Sequence, residues 1–176
     1  MRPLAPDEVT LAEHYFGRHL RTAPVRLTRD HPMSLHAPKT LGNTVHLKSG
    51  WHHFDGPGLA LSPRGLGCLV HELVHVWQYQ NGGLGYVFGS LWAQLHAIVT
   101  AGDRGGAYRW RPVHRAGVPW ARWNPEQQAQ VIEDHFKASR RIRAGAERPK
   151  DQALVEGTAQ YLDKLRAGQG AARLFG

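Results

Sequence analysis

The sequence has very little cysteine. Cys68 is the only cysteine among 176 residues, which excludes an internal disulfide and a cysteine-rich zinc finger. A metal bound by this chain must therefore be held by nitrogen and oxygen ligands. We expect the Cys68 thiol itself to be a buried, small apolar side chain.

Long apolar runs are absent as well. No stretch approaches the roughly 18 consecutive apolar residues of a membrane span, and residues 1–10 lack the apolar segment of a secretory signal. We expect no membrane span, and a protein that is cytoplasmic or is exported by a route that reads no such signal. The length of 176 residues and the hydrophobic fraction of 41% predict a single domain over residues 1–176 with a sizeable core.

Acidic residues are scarce relative to basic ones. Lysine and arginine number 22 against 14 Asp and Glu, for a net charge of +8. Part of the excess alternates with aromatic residues between positions 104 and 123, where the sequence has Arg104, Arg109, Arg111, Arg115 and Arg122 among Trp110, Trp120 and Trp123. Such a pattern can form a nucleic-acid groove, but no known nucleic-acid-binding signature accompanies it. We therefore expect a solvated basic face or an acidic protein partner rather than a nucleic-acid partner.

Histidine is frequent, and two of the 12 histidines form the most specific motif of the chain, His71-Glu72-Leu73-Val74-His75. Histidines at positions i and i+4 of a helix project from one face, so both imidazoles can reach a single zinc ion. Glu72 is rotated by about 100° from that line, which favours a general base rather than a ligand. The alternative is a buried, metal-free helix whose histidines are simply hydrogen-bonded.

The flanks of the motif predict the helix that it requires. Ser62 and Pro63 are typical of an N-cap followed by the first helical residue, and residues 81–83 are typical of a helix end. An apolar stripe between them predicts burial in a core; its members are Leu66, Leu69, Val70, Leu73, Val74 and Trp77.

The rest of the chain predicts an α+β fold that is mostly helical, with a small N-terminal sheet. Helices are predicted from Pro6 to a stop at Gly17, over 86–99, from Asn124 to about Gly145, and over 151–166. Strands are predicted at 25–27 and 44–48, with a further extended piece at 59–61 and a turn-rich segment over 30–43. Residues 102–123 read as a long loop.

A catalytic zinc site needs three protein ligands, and the motif supplies two. The residues that follow it, 78–80, lack the extension that would provide a third histidine nearby. Glu126 and Glu156 are the candidates. Glu126 stands in the first turn of a helix, where a carboxylate also favours the helix dipole, and Glu156 precedes Gly157, which predicts a close approach between helices. Spacing alone does not separate the two.

The order of these motifs resembles a known family. His71-Glu72-Leu73-Val74-His75-Val76-Trp77-Gln78, then Asn124-Pro125-Glu126-Gln127-Gln128-Ala129 and then Asp134-His135-Phe136 are similar to small bacterial zincin-like proteins described as Vgr-related or Rhs-type secretion proteins. The segments 4–17 and 25–47 also resemble the start of that family. His135 stands where the family usually has tyrosine, and residues 156–159 resemble the glutamate helix of larger gluzincin peptidases.

The resemblance implies a gluzincin-type zinc metallopeptidase associated with a bacterial secretion system. Glu126 then becomes the third ligand beside His71 and His75, and Glu72 becomes the catalytic base. A non-catalytic zincin-fold adaptor of a secretion or toxin assembly is the alternative. Candidates for the oxyanion donor are His135, Tyr161 and Tyr108, and Asp134 is a candidate for orienting a ligand histidine.

Overall fold

The structure of the protein is a computed structural model that describes residues 1–32, 38–82 and 104–171. It has mixed α and β structure, is mostly helical and contains a small sheet, as predicted. The helix predicted over 86–99 lies outside the described residues. None of the described helices combines the length and the apolar character that crossing a membrane requires.

The sheet has four short strands: β1 (Arg2–Pro3), β2 (Arg26–Arg29), β3 (Lys39–Leu41) and β4 (Thr44–Leu47). Their order is β1-β2-β4-β3; β2 and β4 run parallel, and the outer strands pair antiparallel to them. Leu27, Val45 and Leu47 of the central pair are fully buried, because alternate residues of a strand face the core. β3 lies at the edge of the sheet that the described residues form.

The described α-helices are α1 (Pro6–Phe16), α2 (Pro63–Gly82), α3 (Trp110–Arg115), α4 (Pro125–Arg143) and α5 (Asp151–Arg166). The predicted caps are confirmed. Ser62 Oγ accepts a hydrogen bond from the Gly65 amide at 3.0 Å. Asn124 Oδ1 accepts from the Gln127 amide at 2.8 Å while Gln127 Oε1 accepts from the Asn124 amide at 3.1 Å, a reciprocal pair that satisfies amides at the start of α4.

The helix α2 lies at the centre of the molecule. It packs against β3 and β4 on one side and against α4 on another. In turn, α5 packs against both α4 and α1. The burial of α2 follows from the predicted apolar stripe, since Leu69, Val70, Leu73 and Val74 are fully buried. Cys68 packs against this core, where burial raises the pKa of its thiol well above the usual value. The motif is thereby held between the sheet and the later helices.

The short elements were the least predictable part of the fold. β1 and β3 were not predicted, and the extended piece at 59–61 is a single bridge between Phe54 and Leu61. The predicted long loop over 102–123 is wrong in its described part, which contains α3 and 3-10 helices at Arg104–Tyr108 and Trp120–Arg122. These elements are too short to show a periodicity, and tertiary packing of the buried Trp110 and Trp120 stabilises them.

Candidate metal centre

The two motif histidines and Glu126 converge on one point between α2 and α4. His71 Nε2 lies 3.4 Å from Glu126 Oε2, and His75 Nε2 lies 3.5 Å from the same oxygen. All three side chains are buried, and one potential ligand atom from each lies within 4.8 Å of the others. This cluster can hold a metal ion.

The distances suit a tetrahedral ion. Metal–ligand bonds of 2.0–2.1 Å place two ligands of a tetrahedral zinc site about 3.3–3.4 Å apart, and the two nitrogen–oxygen separations are 3.4 and 3.5 Å. The donor set of two imidazoles and one carboxylate is also one that zinc binds. In donor type and in these two separations, the residues present therefore fit a zinc ion.

The electrostatics of the cluster favour positive charge between its members. Burial by itself would raise the pKa of Glu126, but the facing His75 and His71 outweigh it and hold that pKa well below its usual value. Burial would lower the pKa of His71, but hydrogen bonds with Glu126 and Glu133 raise it well above its usual value. The pKa of His75 is raised as well, against burial, by Glu126. Such a pocket attracts protons or a cation.

The remaining ring nitrogens are already bonded, which leaves both Nε2 atoms directed at the cluster. His71 Nδ1 donates to Glu133 Oε2 at 3.1 Å, and His75 Nδ1 lies 2.8 Å from Gln78 Oε1. Glu133 also forms an ion pair with Lys137, and its pKa is lowered to about 2 by His71 and Lys137 in spite of burial. Carboxylates in this position orient a ligand imidazole and raise its basicity.

Glu72 lies beside the cluster and not in it. Burial raises the pKa of its carboxylate, and His75 and His71 oppose that effect. Its Oε2 accepts a hydrogen bond of 2.8 Å from Thr40 Oγ1 on the edge strand β3. The Glu72 carboxylate therefore lies close both to the two histidines and to the edge strand of the sheet.

Glu156 is placed elsewhere. Its side chain is exposed on α5, and it does not belong to the cluster that the described residues form. The close approach predicted from Gly157 is not found among the described residues, since no other part of the chain they cover comes within 4 Å of where a Cβ at that residue would stand. Between the two candidates, the structure brings only Glu126 to the histidines.

The three candidate oxyanion donors have different surroundings. His135 is nine residues after Glu126, which is half a rotation around the helix, and its Nδ1 contacts Thr158 Oγ1 at 2.8 Å. Tyr161 OH contacts His114 Nδ1 at 2.6 Å. Tyr108 alone lies near the cluster, with its ring centroid 6.0 Å from that of His71.

Asp134 was a candidate for orienting a ligand histidine, but Glu133, one residue earlier, is the carboxylate that contacts His71. Asp134 accepts hydrogen bonds from Trp110 Nε1 at 2.9 Å and Gln130 Nε2 at 3.0 Å. The spacing contains the missed signal. Glu133 follows Glu126 by seven residues, which is nearly two full turns, so both carboxylates share one face of α4.

The arginine and tryptophan segment forms no stacking platform. Trp110, Trp120 and Trp123 are buried, and their indole nitrogens donate to Asp134, to the Gln169 carbonyl and to the Val118 carbonyl. Buried rings are not accessible to nucleic-acid bases. Arg111 and Arg115 remain exposed, so a basic face without aromatic platforms is what this part of the surface presents.

Comparison with known proteins gives one distant similarity. The type VI secretion system spike protein VgrG2b of Pseudomonas aeruginosa is 27% identical over 144 residues, covering 77% of this chain and 13% of the spike protein. This chain thus spans a small part of that protein's length. No family model matches the chain, and no solved structure matches it. The chain is therefore distantly similar to part of a secretion-system protein.

Proposed function

We propose that the protein is a zinc-dependent peptidase in which His71, His75 and Glu126 hold the metal and Glu72 is the general base. The observation that carries the proposal is the convergence of two imidazole nitrogens on one buried carboxylate oxygen, at 3.4 and 3.5 Å. Glu72 is adjacent in sequence to the first of these ligands and is buried next to them. This combination is the arrangement that metal-assisted hydrolysis of an amide requires.

The protein side chains divide the chemistry among them. When bound, zinc supplies a Lewis acid that polarises a carbonyl and acidifies water. Glu72 accepts the proton of the attacking water and returns it to the leaving amine. Thr40 holds the Glu72 carboxylate by its 2.8 Å hydrogen bond, and Tyr108, near His71, is the side chain that we assign as the donor to the developing oxyanion.

The edge strand β3 offers a place for the substrate. It lies at the end of the strand order of the described sheet, and its central residue, Thr40, contacts Glu72. An extended peptide can add to the outer strand of a sheet through main-chain hydrogen bonds. A peptide or protein substrate bound there would pass directly beside the base.

Association with a bacterial secretion system is part of the proposal. It is supported by the similarity to part of a type VI secretion spike protein. The net charge of +8 adds that a protein partner or substrate with an acidic surface would be attracted.

A non-catalytic zincin-fold adaptor is the second candidate. The similar protein is described as a type VI secretion system spike protein, and this name favours a binding role. In an adaptor the metal would stabilise the fold, and Glu72 would have no chemical task.

Removal and return of the metal test the proposal. Purified protein is expected to contain close to one zinc per chain and to cleave an unstructured substrate such as casein. A chelator should abolish cleavage, and added zinc should restore it. Zinc binding without cleavage across a broad peptide library would support the adaptor instead, and failure to bind zinc would contradict both.

The contact between Glu133 and His71 gives a further prediction. Glu133→Ala is expected to weaken zinc affinity about 10–100-fold, because the carboxylate that orients the ligand imidazole is lost. Asp134→Ala is the control, since the neighbouring carboxylate contacts Trp110 and Gln130 instead. Competition against a chromophoric chelator measures both variants. Equal affinities for the two would contradict the assigned role of Glu133.

A further inference from the structure

Two glutamines stand behind the candidate metal centre and are completely buried. Gln78 on α2 and Gln128 on α4 are each 0% exposed, and Gln78 Nε2 donates to Gln128 Oε1 at 2.9 Å. Burying amides costs free energy unless every polar atom is bonded. Their partners therefore determine which way each amide is turned.

Two backbone carbonyls determine the orientation of the Gln128 amide. Gln128 Nε2 donates to the Trp120 carbonyl at 3.0 Å and to the Gly170 carbonyl at 2.9 Å. Because a carbonyl can only accept, the amide nitrogen of Gln128 must face these groups. Its oxygen then faces Gln78 and accepts from it.

The same reasoning fixes the second amide. Gln78 Nε2 donates to Gln128 Oε1 and also to the Pro125 carbonyl at 3.2 Å, so its oxygen is left to face His75. An amide oxygen can only accept, which requires the proton of a neutral His75 ring to stand on Nδ1 at 2.8 Å. The Nε2 lone pair is thereby directed at Glu126.

The hydrogen bond between Gln128 and the Gly170 carbonyl depends on glycine at position 170. Its φ of +78° suits a residue without a side chain, and a Cβ there would overlap the Trp120 ring. The Gly170 carbonyl thus reaches Gln128 only because the segment after α5 packs directly on Trp120.

We propose that Gln78 and Gln128 are positioning residues that hold His75 in the tautomer and orientation that bind a divalent metal. We call the series of hydrogen bonds that connects the Trp120 and Gly170 carbonyls, through Gln128 and Gln78, to His75 Nδ1 the relay; each amide in it can be oriented in only one way. This inference rests on the proposed zinc site. It adds that zinc affinity depends on residues that are not ligands and lie behind the site.

Two substitutions at one position separate positioning from packing. Gln78→Leu removes both the donor to Gln128 and the acceptor for His75 Nδ1, whereas the buried, neutral carboxylic acid of Gln78→Glu keeps an O–H donor toward Gln128 Oε1 and an acceptor oxygen for His75 Nδ1. We expect Gln78→Leu to weaken zinc affinity about 10–100-fold and Gln78→Glu to retain most of the wild-type affinity. Competition against a chromophoric chelator measures affinity, and the melting temperature of the metal-free protein measures stability.

Gln80→Leu is the matched control on the same helix. Gln80 also makes three hydrogen bonds, with the backbone of Arg21 and with Asn43 Oδ1, so its loss affects stability without touching the relay. Its zinc affinity should equal that of the wild type. Equal losses of affinity in Gln78→Leu and Gln78→Glu, or no loss in Gln78→Leu, would overturn the inference.

Gln128→Leu provides a second route if Gln78→Leu does not fold. Gln128 acts on His75 through Gln78, so we expect Gln128→Leu to cause a measurable loss of zinc affinity, because the Gln78 amide then keeps only the Pro125 carbonyl as a partner for its nitrogen. An affinity equal to that of the wild type would count against the relay. Wild-type protein that binds no zinc would instead refute the proposed metal site itself, so the two failures are distinguishable.

Discussion

Glu126→Ala is expected to lower zinc affinity by more than about 100-fold, since loss of a residue that only orients a ligand already costs 10–100-fold. Glu126 supplies the single carboxylate oxygen on which both Nε2 atoms converge. Without it, two neutral imidazoles remain and no anionic ligand balances the charge of the ion. A factor of 100 corresponds to about 2.7 kcal/mol of binding free energy, and titration against a competing chelator resolves it.

Glu156→Ala is the matched control for this experiment. It removes the same side chain from an exposed position on α5, and its zinc content and affinity should equal those of the wild type. A circular dichroism spectrum confirms that each variant is folded. Loss of zinc in Glu156→Ala together with retention in Glu126→Ala would reverse the ligand assignment and contradict the geometry of the cluster.

Glu72→Gln is expected to reduce the turnover number about 10²–10⁴-fold, the usual contribution of a general base, while zinc content stays at the wild-type level. The substitution keeps the size of the side chain and an oxygen that can accept the hydrogen bond from Thr40. It removes the capacity to take a proton from water. Steady-state hydrolysis of a fluorogenic peptide, with metal analysis of the same sample, measures both effects.

The same variant distinguishes the peptidase from the adaptor. If the protein is an adaptor, Glu72→Gln should leave partner binding unchanged and no activity will have been present to lose. If Glu72→Gln lost its zinc, Glu72 would be acting as a ligand, contrary to its position beside the cluster. Unchanged hydrolysis with full zinc content would remove Glu72 from the mechanism.

Much of the helical framework was predictable from local signals. The bounds of α2 followed from Ser62, Pro63 and the residues at 81–83, and the start of α4 followed from the Asn124 and Gln127 capping pair. Helix caps and apolar periodicity depend on residues that are close together in the sequence, so they can be recognised without knowing the tertiary structure. The strands β1 and β3 were missed, because two or three residues carry no detectable alternation.

The site was predictable in part. The two motif histidines are one helical turn apart on the same face, so their proximity could be predicted from the sequence alone. Assignment of Glu126 over Glu156 needed the packing of α4 on α2, and recognition of Glu133 in place of Asp134 needed the rotational phase of α4 against His71. The roles of Gln78 and Gln128 depend on carbonyls contributed by residues 120 and 170, which are far apart in the chain.

The amino-acid sequence by itself determined where the long helices begin and end, and that His71, Glu72 and His75 share one of them, since these follow from contacts within a few residues. Tertiary structure alone decided which distant carboxylate meets those histidines, which neighbours hold their rings, and which strand contacts Glu72. Those relations depend on the angle and rotation at which α2, α4 and β3 pack, and burial of the whole core sets them.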